Sequence, residues 1–380
     1  MQLVVDENIA FAEEAFSQFG DVLLINGREI TNDTLQNAVP LIVRSITNVD
    51  ENLLQNTNIK FVGTATIGTD HIDTNFLNEN SIVFADAKGC NADSVVEYVF
   101  TALLKITVDN KLTLKNKSIA IIGVGNVGSR VAKYAEALGL KVYKNDPPKQ
   151  RVGEGGNYVS LEEALQADII TLHVPLNKTG NDKTVHLLDE KKLSKIKDNT
   201  IIINTSRGPV LDNKALLDII AKKHFKLILD VWEDEPLINT HLLQKVLVGS
   251  AHVAGYSFEG KVNGTKMIYD ALCRFTNQLN DWEPKLPTVE NNIIDVSSTK
   301  NLEEKLNLIF KQIYNIETDD YKMREMIKMD NDSRAAYFDK LRKEYPLRRE
   351  FTNYTILVEE TNKQLKDILE AFRFNIKIID

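Results

Sequence analysis

Short apolar runs alternate with segments of helical period through the first 280 residues. Leu3–Val5, Leu41–Val43, Lys60–Val62 and Ile82–Phe84 are brief apolar runs that predict strands, and Ile9–Phe19 carries helical spacing between the first two. A longer helix is predicted from about Asp93 to Thr107, with Asp93 or Ser94 as its cap. Its Val95, Val96, Val99, Leu103 and Ile106 keep near-helical intervals. A second series opens at Ser118, with strands predicted at Ser118–Ile122, Lys141–Lys144, Asp168–Leu172, Thr200–Asn204, Lys226–Asp230 and Val246–Gly249. Strands separated by helices predict an α/β protein with mostly parallel sheets, and this second series matches a dinucleotide-binding fold. A further helix is predicted from about Gly260 to Gln278. The stretch Asp281-Trp282-Glu283-Pro284-Lys285-Leu286-Pro287 then marks a linker through its two prolines. The remaining residues are rich in charge and helix formers, with strand-like Tyr354–Val358 and Phe374–Ile379, and predict an appended α+β piece.

The first strand of the second series runs into Gly123-Val-Gly125-Asn126-Val127-Gly128 and then a helix. Gly123 permits the tight turn, Gly125 lets a pyrophosphate approach the backbone, and Gly128 lets helix and strand pack closely. The helix beginning near Asn126 would offer its N–H groups and positive dipole end to phosphates. The next strand ends at Asp146, eighteen residues after Gly128. A carboxylate there accepts hydrogen bonds from ribose hydroxyls and repels a 2′-phosphate, so NAD is expected rather than NADP. The bland alternative for Asp146 is a solvated carboxylate ahead of Pro147-Pro148.

Three polar residues follow the ends of three later strands: Arg207 in Asn204-Thr-Ser-Arg-Gly, Glu235 in Asp230-Val-Trp-Glu-Asp-Glu-Pro, and His252 in His-Val-Ala-Gly-Tyr. Ligands of open α/β sheets bind outside the carboxyl ends of the strands. His252 can take a hydroxyl proton as hydride leaves the adjacent carbon, Glu235 can orient and stabilise its ring, and Arg207 can grip a carboxylate with its planar fork. Asp230 is placed to contact the nicotinamide ribose or carboxamide. Taken singly, each residue has a structural alternative: a core histidine, a surface arginine, a turn at Glu235-Pro236. Their order after successive strands favours the joint catalytic reading.

Net charge is −8, which argues against a nucleic-acid groove. No apolar run approaches the roughly 20 residues of a membrane span, and Met1–Asp6 lacks the basic and apolar stretches of a signal peptide. Two cysteines, Cys90 and Cys273, make no disulfide framework and no metal signature. A cytoplasmic protein without membrane, nucleic-acid or metal partners is expected.

The glycine fingerprint with Asp146, the N-x-x-R-G run, the D-V-x-x-x-E-P run and the later His-x-x-Gly resemble the D-isomer-specific 2-hydroxyacid dehydrogenases over roughly residues 1 to 280. Gly63-Thr-Ala-Thr66-Ile-Gly68 looks like that family's substrate loop. The resemblance implies a Rossmann-type NAD-binding domain (93–256) inserted in a flavodoxin-like substrate domain (1–92 and 257–284), with a C-terminal α+β dimerisation domain (285–380). It implies NAD as cofactor, with contacts extending to Val174, Thr205 and Gly255, and catalysis by Arg207, Glu235 and His252. Hinges are expected near Cys90–Asp93 and His252–Gly260.

Further motifs resemble one branch of the family along nearly the whole chain. They include Val43-Arg44-Ser45-Ile-Thr47, Gly89-Cys90-Asn91, His252-Val-Ala-Gly255-Tyr256-Ser257, Phe338-Asp-Lys-Leu-Arg342 and Leu347-Arg348-Arg349-Glu350. That branch implies a homodimer that oxidises 4-phospho-D-erythronate, a phosphorylated 2-hydroxy acid, in vitamin B6 synthesis. Substrate contacts then fall to Ser45, Thr66 and Tyr256. The phosphate needs its own donors, for which Arg44 is the nearest candidate and Arg348 and Arg349 are the next. Rival expectations are 3-phosphoglycerate, glycerate or D-lactate as substrate, or an NAD-sensing corepressor on the same fold.

Overall fold

Alternating apolar residues build a parallel sheet at the start of the chain. The computed structural model describes residues 1–154, 156–296 and 301–379. Strands β1 (Gln2–Asp6), β2 (Asp21–Ile25), β3 (Ala38–Val43), β4 (Phe61–Thr64) and β5 (Val83–Asp86) lie in the order β2-β1-β3-β4-β5. This is the flavodoxin-like order. Leu3, Val5 and Ile42 face Phe16 and the helix Phe258–Thr276, through Ile268 and Leu272. Val4, Leu41 and Val43 face the other way, onto Leu35, Leu54 and Leu77. Both faces are therefore covered, as the period of two along each strand requires. A Cβ at Gly63 would lie 2.6 Å from Ile268, so this glycine lets the helix approach β4 closely.

Two sequence expectations change here. The helix expected over Ile9–Phe19 is only Ala12–Phe16 with a 3-10 turn, Ser17–Phe19, because Phe11 enters at φ +56° and Gly20 leaves at φ +142°. The chain then forms β2, an unexpected edge strand whose Leu23 and Leu24 are partly exposed. Period alone did not reveal it, since an edge strand lacks a fully buried face.

The second sheet contains β6 (Ser118–Ile122), β7 (Lys141–Asn145), β8 (Ile169–Leu172), β9 (Ile201–Asn204), β10 (Lys226–Leu229) and β11 (Val248–Gly249), in the order β11-β10-β9-β8-β6-β7. All pairs are parallel. Beside β7, Tyr158 makes a single parallel bridge to Lys144. Counting that bridge, the order becomes the Rossmann one with an added strand at the far edge. The third strand is reduced to the single bridge at Tyr158, because its flank supplies glycines and charge rather than apolar residues. Ile119 and Ile121 join one core, and Ala120 and Ile122 the other. Each fully buried Ile or Leu contributes about 1.5–3 kcal/mol.

The long helix begins at Ala92 and runs to Asp109, so Asp93 and Ser94 lie inside its first turn rather than capping it. It is buried almost all round, which explains why its apolar residues exceed one stripe. The residues after the linker add β12 (Ile293–Asp295), β13 (Thr355–Glu359) and β14 (Asn375–Ile379), a parallel sheet in that order. Expected as a separate piece, they share a core with the nucleotide-binding sheet instead. Phe372 meets Phe100 of the long helix edge-on at 5.0 Å, and Phe310, Phe351 and Phe374 extend the cluster.

The chain accordingly divides into two compact units. One comprises Met1–Asn91 with Ser257–Thr288, and the other Ala92–Tyr256 with the described residues from Val289 onward. No helix among the described residues is long and apolar enough to cross a membrane.

Candidate active site

The glycine loop of the second unit has the shape the fingerprint requires. Gly123 sits at φ +88°, and a Cβ there would lie 2.7 Å from the His173 carbonyl. A Cβ at Gly128 would overlap the Gly123 carbonyl oxygen, whereas one at Gly125 would meet nothing within 4 Å. The space above Gly125 is thus open where backbone and pyrophosphate must approach. Gly125 caps the helix Asn126–Ala137 without any side-chain cap bond, so the first-turn N–H groups point outward for an anion. Val127 is half-buried on that turn, and Val174 packs behind Gly123. Thr205, just beyond β9, has a buried hydroxyl with no partner among the described residues. These features fit a dinucleotide whose nicotinamide end reaches the later strands.

Asp146 is more than a solvated carboxylate. Its Oδ2 accepts the Val124 N–H at 2.8 Å and its Oδ1 accepts the Lys149 N–H at 3.1 Å. It therefore ties the glycine loop to the end of β7 while keeping lone pairs for ribose hydroxyls. Asp146→Ser should keep the helix cap and lose the charge. The expected outcome is a fall of about tenfold or more in the NAD-over-NADP ratio of kcat/KM, measured with both cofactors. An unchanged ratio would remove Asp146 from cofactor choice.

At the other strands, Asn204, Leu229 and Gly249 lie abreast in register. Arg207, Glu235 and His252 follow within a few residues of those ends, so the fold brings all three to one edge of the sheet. Glu235 Oε2 bonds His252 Nδ1 at 2.8 Å, and Glu235 Oε1 accepts the Trp232 N–H at 2.8 Å. Burial would raise the Glu235 carboxyl, but the His252 charge and hydrogen bond, the Trp232 amide and the charge of Arg342 together hold it below its ordinary value. A carboxylate only accepts, so the bond to His252 calls for the ring proton on Nδ1.

The His252 turn is built by Asp230. His252 adopts φ +56°, an uncommon conformation for a residue with a Cβ. Asp230 holds it there: its carbonyl accepts the His252 N–H at 2.7 Å, and its carboxylate accepts the Val253 and Ala254 N–H groups and the Ser250 hydroxyl. Ser250 in turn meets Tyr98 Oη at 2.6 Å. The carboxylate, expected as a cofactor contact, is almost wholly buried and shapes the His252 turn. Gly255 and Tyr256 continue that turn, with the Tyr256 N–H bonded to the Val253 carbonyl.

Arg207 is held by its surroundings. Asn204 donates to the Arg207 carbonyl at 2.9 Å and accepts from the Ser206 N–H and hydroxyl. The next residue, Gly208, lies against the Trp232 backbone where a Cβ would overlap it. The Arg207 guanidinium donates to the Ser206 carbonyl at 2.7 Å.

Three substrate candidates belong to the first unit. Thr66 Oγ1 bonds Thr64 Oγ1 at 2.8 Å and donates to the Gly68 carbonyl, Ser45 is exposed just after β3, and Arg44 donates to the Asn8 carbonyl at 3.5 Å. Two others belong to the tail, in the second unit. Arg348 is buried and donates to the Ser94 carbonyl, the Ser94 hydroxyl and the Ala254 carbonyl. Its guanidinium also packs 4.5 Å from the Tyr314 ring. Arg349 is buried and donates to Asn353 Oδ1. Arg348 thus fastens the tail within the second unit through Nη2, whereas the Arg349 bond stays inside the tail. Sequence reading also passed over Arg342, whose guanidinium carbon lies 5.9 Å from the Tyr256 ring centroid. Nothing local in the sequence ties residue 342 to residue 256.

Residues 105–254 match the family model described as D-isomer specific 2-hydroxyacid dehydrogenase, NAD binding domain, and residues 285–371 match a domain of unknown function, DUF3410. The chain is 40% identical over 386 residues to the erythronate-4-phosphate dehydrogenase of Photorhabdus laumondii, covering 100% of both chains. It is 44% identical over 354 residues to that of Acinetobacter baumannii, covering 92% of this chain and 98% of the other. Among solved structures, the D-lactate dehydrogenase of Aquifex aeolicus complexed with NAD and lactic acid superposes with a TM-score of 0.60 at 25% identity, over 73% of this chain and 96% of that one. The NAD+-bound 3-phosphoglycerate dehydrogenase of Entamoeba histolytica shares the fold, with a TM-score of 0.63 at 24% identity over 73% and 95% of the two chains.

Proposed function

The chain belongs to the erythronate-4-phosphate dehydrogenases, within the D-isomer-specific 2-hydroxyacid dehydrogenases, and we propose that Arg207, Glu235 and His252 carry out its reaction. That reaction is the NAD-dependent oxidation of 4-phospho-D-erythronate to 2-oxo-3-hydroxy-4-phosphobutanoate, in the synthesis of pyridoxal 5′-phosphate. Bound NAD supplies the hydride acceptor. Arg207 holds the substrate carboxylate and polarises the C2 oxygen. His252 Nε2 takes the C2 hydroxyl proton, and the Glu235 carboxylate stabilises the imidazolium that results. Asp230 keeps the histidine turn in place, and the glycine loop with Asp146 and Thr205 holds the cofactor. The observation that carries these roles is the Glu235–His252 hydrogen bond at the carboxyl ends of β10 and β11. Ser45, Thr66 and Tyr256 complete the substrate contacts.

We also propose a cytoplasmic homodimer. The small C-terminal sheet supports self-association, because the face opposite its core residues Ile294, Ile356 and Val358 carries Ile293, Thr355 and Leu357. Both cysteines are buried thiols, in keeping with a reducing compartment.

The test is NADH formation with 4-phospho-D-erythronate, 3-phosphoglycerate, glycerate and D-lactate. The expected kcat/KM for 4-phospho-D-erythronate exceeds the others by about 100-fold or more. A preference for another acid would overturn the substrate, and NAD binding without turnover of any would favour the corepressor reading.

A further inference from the structure

A phosphorylated 2-hydroxy acid brings two anions, and Arg207 serves the carboxylate. The terminal phosphate carries nearly two charges, and enclosing it without donors would be costly. Arg348 spends Nη2 on the Ser94 and Ala254 carbonyls and lays its guanidinium on the Tyr314 ring, which leaves Nε and Nη1 buried without partners among the described residues, and Arg349 bonds Asn353 within the tail. Another cation of the tail, in the same unit, bears on the candidate catalytic carboxylate, since its charge is one of those that hold Glu235 low. Arg342 lies in the last turn of the helix Asn331–Lys343. Its guanidinium carbon is 5.9 Å from the centre of the Tyr256 ring, four residues past His252. Tyr345 meets the same ring edge-on at 5.7 Å, so Tyr256 is gripped by two side chains of the tail. Arg342 Nε is buried with no hydrogen-bond partner among the described residues. The guanidinium does bond the Tyr256 side chain, so Nε is its donor left without an acceptor, an expensive arrangement unless a ligand completes it.

We propose that Arg342 is the residue that receives the substrate's phosphate, with Tyr256 as the platform that sets its reach. The proposal rests on the phosphorylated-acid reading above. It also gives the tail a chemical purpose: the helix Asn331–Lys343 delivers a cation to a core that otherwise recognises only a 2-hydroxy acid. The surrounding charge suits this. Burial works against the Arg342 guanidinium, but Tyr256, Glu235 and Asp339 more than offset it. Glu235 is fully engaged with His252 and Trp232, so it does not consume the fork that a phosphate would take.

The experiment compares 4-phospho-D-erythronate with D-erythronate, which lacks only the phosphate, in the wild type, Arg342→Ala and Arg342→Lys. The ratio of kcat/KM between the two acids is expected to fall about 10- to 100-fold in Arg342→Ala, through KM for the phosphorylated acid, with partial recovery in Arg342→Lys. Inorganic phosphate, used as a competitive inhibitor, should lose potency in Arg342→Ala in the same proportion. An unchanged ratio, or equal losses on both acids, would overturn the proposal and leave Arg342 as a prop for Tyr256. Should Arg342→Ala fail to fold, Arg342→Lys and Arg342→Gln give the same ratio. A wild type indifferent to the phosphate would instead overturn the substrate reading, so the two failures are distinguishable.

Discussion

Alanine in place of His252 is expected to lower kcat by about 100- to 10,000-fold, with little change in NAD affinity. The imidazole is held by a carboxylate at the strand ends, the arrangement of a general base. Its turn is fixed by the Asp230 backbone and side chain, so removing the ring leaves the glycine loop and its cofactor contacts in place. Cofactor binding, followed by NADH fluorescence, should therefore survive. A kcat within tenfold of wild type would remove His252 from proton transfer. A second histidine–glutamate pair serves as a control. His186 Nε2 also bonds a glutamate, Glu233 Oε1, at 2.6 Å. There, however, Glu233 also accepts the Asn213 N–H and Asp212 caps the helix Asn213–Ile220, so the group braces a helix start. His186→Ala should leave kcat unaltered and lower only thermal stability.

The pH dependence separates the partners. Glu235 sits below its ordinary value of 4.5, so it is anionic throughout the neutral range. In the folding equilibrium the sign follows from the same shift. A depressed carboxyl stabilises the fold above its unfolded pKa, and that contribution is lost as pH falls through the lower folded value. Glu235→Gln should accordingly lower kcat across the whole neutral range rather than only on the acid side. The pair's contribution to stability should fade only in acid below about 4.5.

Much of this was legible in the sequence because strand ends and glycines obey local rules. The bounds of β6 came directly from Ser118-Ile-Ala-Ile-Ile, a buried run stopped by a glycine. Asn204, Asp230 and Gly249 could be ordered because parallel strands put their carboxyl ends on one edge. What was illegible depended on distant partners. Nothing around Arg348-Arg349 announces that the carbonyls of Ser94 and Ala254 await a guanidinium about 250 and 90 residues away. A pair of arginines flanked by glutamates looks the same whether it binds phosphate or fastens a tail. Tyr98, Ser250 and Asp230 form one hydrogen-bonded chain whose members carry no common motif. The lost third Rossmann strand is a different case. Its sequence is truly poor in apolar residues, and the single bridge at Tyr158 is what such a sequence can sustain.

Replacing Arg207 should give the second large effect, in kcat/KM rather than in folding. Arg207→Ala is expected to lose about 100- to 1,000-fold for 4-phospho-D-erythronate, the scale of removing one preorganised donor at a developing charge. Preorganisation is what makes the loss large. Asn204 holds the Arg207 carbonyl, and Gly208 is locked against Trp232, so the backbone does not shift to bring in another donor. Arg207→Lys tests the chemistry more sharply. Lysine keeps the charge but not the planar fork, so it should still bind the carboxylate while losing the second bond that polarises the C2 oxygen. KM should then recover more than kcat. If lysine restored both equally, Arg207 would be acting only as a point charge. If alanine and lysine were equally damaging in KM alone, its role would be confined to holding the substrate. The contrast with Arg342 is then direct: loss of Arg207 should weaken phosphorylated and unphosphorylated acids alike, because both share the carboxylate it grips.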